Sequence, residues 1–206
     1  MIVIDANEIL KEKKKLPTEA FFIDTQLVIF YKDPFGQSGY NNQPNTGLNI
    51  KTREITEYLK SQHKSFSVLS TALEYYKFIQ VNIYLRYTQN RKFDPIDFKN
   101  LKNSNEQFLS IWDIQIKSFK RLFTKNFPIY PVDTFDSTSI NDFDGVHADF
   151  GDYVMYNSVI NLDKKFRCIF SDDRDFYYFE GDFYLLTFNK KVLELAKKDN
   201  KLYKLI

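Results

Sequence analysis

The sequence predicts an α/β protein of three layers, α/β/α, with a central parallel sheet and a helical insertion. Three observations carry this expectation. AFFID (20–24), FRCIFS (166–171) and FYLLTF (183–188) hold continuous rather than alternating apolar runs, as strands buried on both faces require. Helical patterns stand between these runs, as parallel strands need crossover connections. The chain has 206 residues, 43% of them apolar, which suits one core or one domain carrying an insertion.

Taken in order, IVIDAN (2–7) is a short apolar segment that adds an edge strand or arm. AFFID is the first buried strand, and TQLVIFYK follows it as a short helix. DPFGQSGYNNQPNTG (33–47) reads as a loop from its Gly, Pro and Asn content. A helix is predicted over about 50–62, a strand over SFSVLS (65–70), and a long helix from Thr71 to about Gln89. RKFDP breaks the chain. Residues 104–126 form an amphipathic helix: Phe108, Ile111, Trp112, Phe119, Leu122 and Phe123 recur at spacings of three, four and seven, with Lys117, Lys120 and Arg121 mostly opposite. FPIYPVDTF (127–135), with two prolines, is a poor strand. A helix over 146–161 leads into FRCIFS, and NKKVLELAKK closes the chain as a helix after FYLLTF.

Composition narrows the function classes. Lys and Arg number 29 against 27 Asp and Glu, so bulk electrostatic binding of nucleic acid is excluded while a local basic groove is not. No apolar run approaches the roughly 18 residues of a membrane span. The charges of MIVIDANEILKEKKK follow its apolar piece, the reverse of a signal peptide, so a cytoplasmic protein is expected. One cysteine, Cys168, and two isolated histidines, His63 and His147, cannot build a structural zinc site without carboxylates. Any metal would be held by Asp and Glu oxygens, which suits Mg²⁺ or Mn²⁺.

The acids can be placed against the rule that ligands of open parallel sheets bind beyond the carboxyl ends of the strands. Asp24 ends the first buried strand. Glu74 lies in the first turn of the helix after SFSVLS. Asp149 and Asp152, three apart and on one helix face, open the helix before FRCIFS. Asp172 and Asp173 follow that strand directly. Each also has a purely structural reading. TALE (71–74) is a capping-box pattern, Asp24 can N-cap the next helix, Asp152 can answer a helix dipole, and Asp172, Asp173 and Asp175 can be turn residues. Gathered together, such charges repel by roughly 4 kcal/mol per pair at contact distance in a medium of effective dielectric near 20, which a divalent cation would offset.

These pieces resemble the PIN-domain family of metal-dependent ribonucleases. FFIDTQLVIFY is similar to the family's strand, Asp-Thr and apolar helix; SVLSTALEYY to its Ser-x-x-x-Glu element, matching Ser70 and Glu74; GDYVMYNSVI to the helix opened by an Asp, matching Asp152. FRCIFSDDRDF is similar to the strand followed by Thr-x-Asp-x-Asp-Phe, with Ser171 in place of Thr and Asp173 as the acid. FYLLTFN matches the last strand. The likeness spans about residues 20–190. Gln26 departs from the usual small polar residue, and Asp149 competes with Asp152 for the third acid. Residues 91–143 exceed what a minimal domain of this kind needs and are the expected insertion within a single domain, 1–206.

The resemblance implies an endoribonuclease in which Asp24, Glu74, Asp152 and Asp173 hold Mg²⁺ or Mn²⁺ for hydrolysis of RNA phosphodiesters. Asp149, Asp172, Ser70 and Ser171 are secondary members, and Lys117, Lys120, Arg121 and Arg174 are expected RNA contacts. It also implies a toxin held by a small antitoxin protein; a homodimer is a further expectation. A catalytically silent PIN-like scaffold binding RNA or protein is the alternative. A haloacid-dehalogenase phosphatase is disfavoured because Gln26 stands where its second Asp belongs. Asp5, the echo of Asp24 in IVIDAN, is rejected because NEILKEKKK offers too little apolar surface to pack as the first helix.

Overall fold

The computed structural model describes residues 1–33, 46–89, 92–131, 143 and 148–204. Among them are five strands: β1 (Ile2–Asp5), β2 (Ala20–Ile23), β3 (Lys64–Phe66), β4 (Cys168–Phe170) and β5 (Tyr184–Thr187). Eight α-helices accompany them: α1 (Ala6–Glu12), α2 (Thr25–Lys32), α3 (Thr46–Lys60), α4 (Leu69–Thr88), α5 (Pro95–Ser104), α6 (Glu106–Arg121), α7 (Phe150–Ile160) and α8 (Lys190–Lys198).

The strands form one sheet in the order β1-β5-β4-β2-β3, every pair parallel. Strand periodicity sends alternate side chains to opposite faces. Ile4, Phe21, Ile23, Cys168, Phe170 and Leu186 join a core with α1 to α6. Val3, Phe22, Ile169 and Leu185 join a second core with α7 and α8. The sheet is thus buried on both faces, which is why its strands carry no polar alternation.

From β2 the chain moves outward to β3, then crosses back to enter β4 on the other side of β2. The order therefore reverses between β2 and β4, and a crevice opens at their carboxyl ends. Ile23 pairs with Phe170, and the Asp24 N–H donates to the Phe170 carbonyl at 3.0 Å.

Several boundaries differ from the sequence reading. SFSVLS is strand only over Lys64–Phe66, because Leu69 already begins α4. The stretch 104–126 is not one helix. Asn105 ends α5 and N-caps α6, accepting from the Phe108 N–H at 2.9 Å, and α6 loosens into a π turn over Leu122–Asn126. RKFDP does not simply break the chain. Asp94 caps α5, with Pro95 in its first turn, where a missing N–H costs nothing. NEILKE does join a helix, α1: Ala6 and Ile9 are its buried residues, with Leu10 packed partly against the first core. Ile129 makes an isolated bridge with Ser67, consistent with a poor strand. Most of the predicted loop 33–47, together with His147, lies outside the described residues.

The stretch 91–143 contributes α5 and α6, which pack on the first core. Phe98, Phe108, Trp112, Leu122 and Phe123 are buried. Tyr75 of α4 stacks on Phe119 and Tyr76 meets Trp112 edge-on. The apolar face of the amphipathic helix is therefore mostly spent within the chain, with Ile111 left exposed. Cys168 is buried, and His63 is tied to the 16–18 backbone, with Nε2 accepting from the Leu16 N–H and Nδ1 against the Thr18 carbonyl, so neither is available for chemistry.

Candidate functional site

Asp24 stands at the end of β2 and N-caps α2, accepting from the Thr25 N–H. Being a cap does not exhaust it. Its other oxygen, Oδ2, accepts a hydrogen bond from the Ser171 hydroxyl at 2.9 Å. Ser171 is fully buried, and its Oγ accepts from the Asp173 N–H at 3.0 Å. One hydroxyl thus locks the ends of β2 and β4 together. Asp173 accepts from the Asp175 N–H at 2.9 Å, which fixes the turn after β4.

Thr25 carries the second link. Its hydroxyl donates to Glu74 Oε2 at 2.6 Å, drawing the carboxylate of α4 toward the end of β2. The capping-box reading of TALE therefore fails. Helix α4 starts at Leu69 with no side-chain cap, and Glu74 lies in its second turn with its carboxylate committed elsewhere.

Helix α7 closes the site from the other face of the sheet. Asp149 is its N-cap and accepts from the Asp152 N–H at 3.0 Å. Gly151 leaves space for the Glu74 carboxylate, which a Cβ there would overlap. A glycine that weakens the helix by propensity thus leaves the acid its room.

Asp24, Glu74, Asp149, Asp152 and Asp173 line one cavity of about 760 Å³, together with Thr25 and Gln26. Asp24 is 7% exposed. Burial pushes its carboxyl up to about 7, against the bonds from Ser171 and Thr25, and the nearby Glu74 and Asp173 add to the rise. Burial raises Asp152 further, to about 9, reinforced by Asp24, Asp149, Asp173 and Glu74. Glu74 is also raised, by burial first and by Asp149, while Thr25 and Lys77 oppose the shift. Asp24, Glu74 and Asp152 thus each stand close enough to other carboxylates for their own protonation to be disturbed. Their oxygens are the donor type that Mg²⁺ and Mn²⁺ take. As they stand, no three His, Cys, Asp or Glu side chains among the described residues close on a common point to hold an ion.

Other predicted residues lie elsewhere. Asp172 is turned to β5, where it accepts from Thr187 Oγ1 and the Phe188 N–H and so ties β4 to β5. Burial raises its carboxyl to about 6. Ser70 does not line the cavity. Arg174 lies over the ring of Tyr178 in a separate hollow beside Met1. Lys117 and Arg121 line a different cavity, and Lys120 lines neither. The cations that do line the acidic cavity are Lys77 and Arg86 of α4. Sequence reasoning misses them, along with Thr25 and Gly151. A signal for the α4 residues exists: counted from Glu74, the lining positions 77, 78, 81, 82, 85 and 86 follow the helical repeat.

No family model, curated protein or solved structure matches the chain. The reading of this site therefore rests on its own residues.

Proposed function

We propose that the protein is a metal-dependent endoribonuclease with a PIN-like fold. The observation that supports this best is the gathering of a buried Asp24 and a half-buried Asp152 with three further carboxylates at the reversal point of a parallel sheet. Capping accounts for Asp24 and Asp149 but not for the company they keep, and Asp24 and Asp152 both stand where burial and neighbouring acids make ionisation costly. In this reading Asp24, Glu74, Asp152 and Asp173 would hold the ion. The ion would supply an activated water and offset charge on the phosphate. The chain's own part is positioning: Ser171 fixes Asp24 against Asp173, Thr25 holds Glu74, and Gly151 leaves Glu74 its place. Lys77 and Arg86 on the cavity wall present positive charge to a phosphodiester.

The test is cleavage of a labelled single-stranded RNA with Mn²⁺, with Mg²⁺ and with EDTA. Cleavage that needs the ion and is lost in Asp24→Asn, with the fold retained by circular dichroism, is the expected result. Metal-dependent cleavage at full rate in Asp24→Asn overturns it.

A second reading has an observation of its own. The acids share a cavity without closing on one point, which suits a silent scaffold binding RNA or protein. Calorimetric titration separates the two, since a scaffold shows no binding of millimolar Mn²⁺ or Mg²⁺.

A further inference from the structure

The acidic cavity does not end at the acids. Ile29, Phe78, Asn82 and Arg86 are shared with a neighbouring hollow between α2, α4 and α6, which reaches Lys32 at the end of α2. Lys32 in turn lines a third cavity of about 500 Å³, with Arg53 of α3 and Lys117 and Arg121 of α6. The first two share four wall residues and the second and third meet at Lys32, so the three lie in series as a track from Asp24 to a basic chamber. Asp24 and Lys32 stand at the two ends of α2, so the track runs at least about 12 Å, too far for one phosphate to touch both ends.

The chamber is built from cations. Among the described residues, Lys32, Arg53, Lys117 and Arg121 form no ion pair and no acid lines the cavity. A nearby carboxylate, Glu57, is engaged by the Tyr31 hydroxyl and by Lys60 at 3.5 Å. Asp33 lines the connecting stretch beside Lys32. Tyr31, Ser118 and Asn126 add polar groups to the chamber wall, while Ile29 and Phe78 give the connecting stretch an apolar floor.

We propose that this chamber is a distal phosphate subsite for a single-stranded RNA lying along the track, with Lys32, Arg53, Lys117 and Arg121 as the residues that hold it. The inference rests on the ribonuclease reading for the position of the scissile bond. The occupant follows from the alternation of a cationic chamber, an apolar floor and a second cationic wall at Lys77 and Arg86. Unpaired strands offer both phosphates and exposed base faces to such a surface, and a duplex does not. An acidic peptide would meet the cations but would bring no base faces to the apolar floor and no phosphodiester to the acids.

The test is binding in EDTA, where no cleavage intervenes. Fluorescence anisotropy of a short single-stranded RNA is followed against wild type, Arg53→Gln/Arg121→Gln, and Lys120→Gln as a change of cation outside the chamber. The double variant is expected to bind about tenfold more weakly. Its salt dependence should be shallower, by about 0.7 for each phosphate it no longer neutralises. Lys120→Gln should bind as wild type. Should the double variant melt early, Lys32→Gln/Lys117→Gln repeats the measurement at other positions of the chamber. Equal affinity of the double variant and Lys120→Gln overturns the subsite while leaving metal-dependent cleavage intact. Weakened binding without cleavage in Mn²⁺ upholds the subsite and removes the nuclease reading. Binding of an acidic peptide and not of RNA overturns the proposal in favour of a protein partner.

Discussion

Asp5 and Asp24 occupy the same local structure. Each stands at the end of a short parallel strand, each N-caps the helix that follows, and each follows an apolar run ending in Ile-Asp. Their surroundings differ entirely. Strand β1 is the sheet's edge, and Asp5 spends its carboxylate on the backbone and side chain of Asn7. Strand β2 is internal, next to β4, and Asp24 faces Ser171, Glu74 and Asp173 across the reversal point. A strand-end Asp is thus an ordinary helix cap wherever it stands. It becomes part of a site only where the topology brings other strand ends to it.

The contrast is tested most severely by neutralising each acid in turn. Asp24→Asn is expected to bring RNA cleavage down to background, and Asp5→Asn to leave it unchanged. Loss in both variants would mean that Asp5 acts on the site through a route the fold does not show.

Next in size is the response to pH. A carboxyl raised in the folded state binds more protons folded than unfolded, so stability is greatest at low pH and falls as pH rises from the unfolded value toward the folded one. The metal-free protein should therefore lose stability between about pH 4 and pH 9, following Asp24 and Asp152. Asp152→Asn should flatten the upper part of that fall, and Asp5→Asn should leave it alone. Thermal melts across the range decide this. Mn²⁺ should restore more stability at pH 8 than at pH 6, because it displaces protons.

Gly151→Ala separates positioning from folding. Removing a helical glycine is worth up to about 1 kcal/mol. Here the new methyl group displaces the Glu74 carboxylate, so cleavage should fall while the melting temperature holds or rises. A variant that keeps full activity would show that Glu74 can act from another rotamer.

The smallest effect belongs to the edge. Asp5→Ala removes only a cap and should cost about 1 kcal/mol of stability with no change in cleavage or in Mn²⁺ binding. Denaturant melts read it directly.

Much of this is legible in the residues themselves. Continuous apolar runs announce β2, β4 and β5, because strands buried on both faces leave no polar alternation. Asp24-Thr25 marks the start of α2, since the cap is a local hydrogen bond. Asp149 and Asp152 compete as the third acid in the sequence. In the fold both line the cavity, one as the cap and the other as the acid that burial, with its neighbours, raises furthest. Helix α1 escapes sequence reading because two buried residues, Ala6 and Ile9, suffice against a sheet edge. Helix α5 escapes it because a Pro after Asp looks like a stop when it marks a start. The basic residues of α6 are recognisable as cations but cannot be placed, because helical periodicity says which residues share a face and not what that face meets.

The part written in the chain alone is therefore local and periodic: which runs are buried, where helices begin, and which acids stand at strand ends. These follow from interactions within a few residues. Which strand ends become neighbours is settled only in three dimensions. That choice separates Asp24 from Asp5 and sends Asp172 to a structural bond with β5. It also sets Lys77 and Arg86 beside the acids, while Lys117 and Arg121 stand at the far end of a track. Strand order is a long-range property, fixed by how both faces of the sheet are covered at once, and no short stretch of sequence carries it.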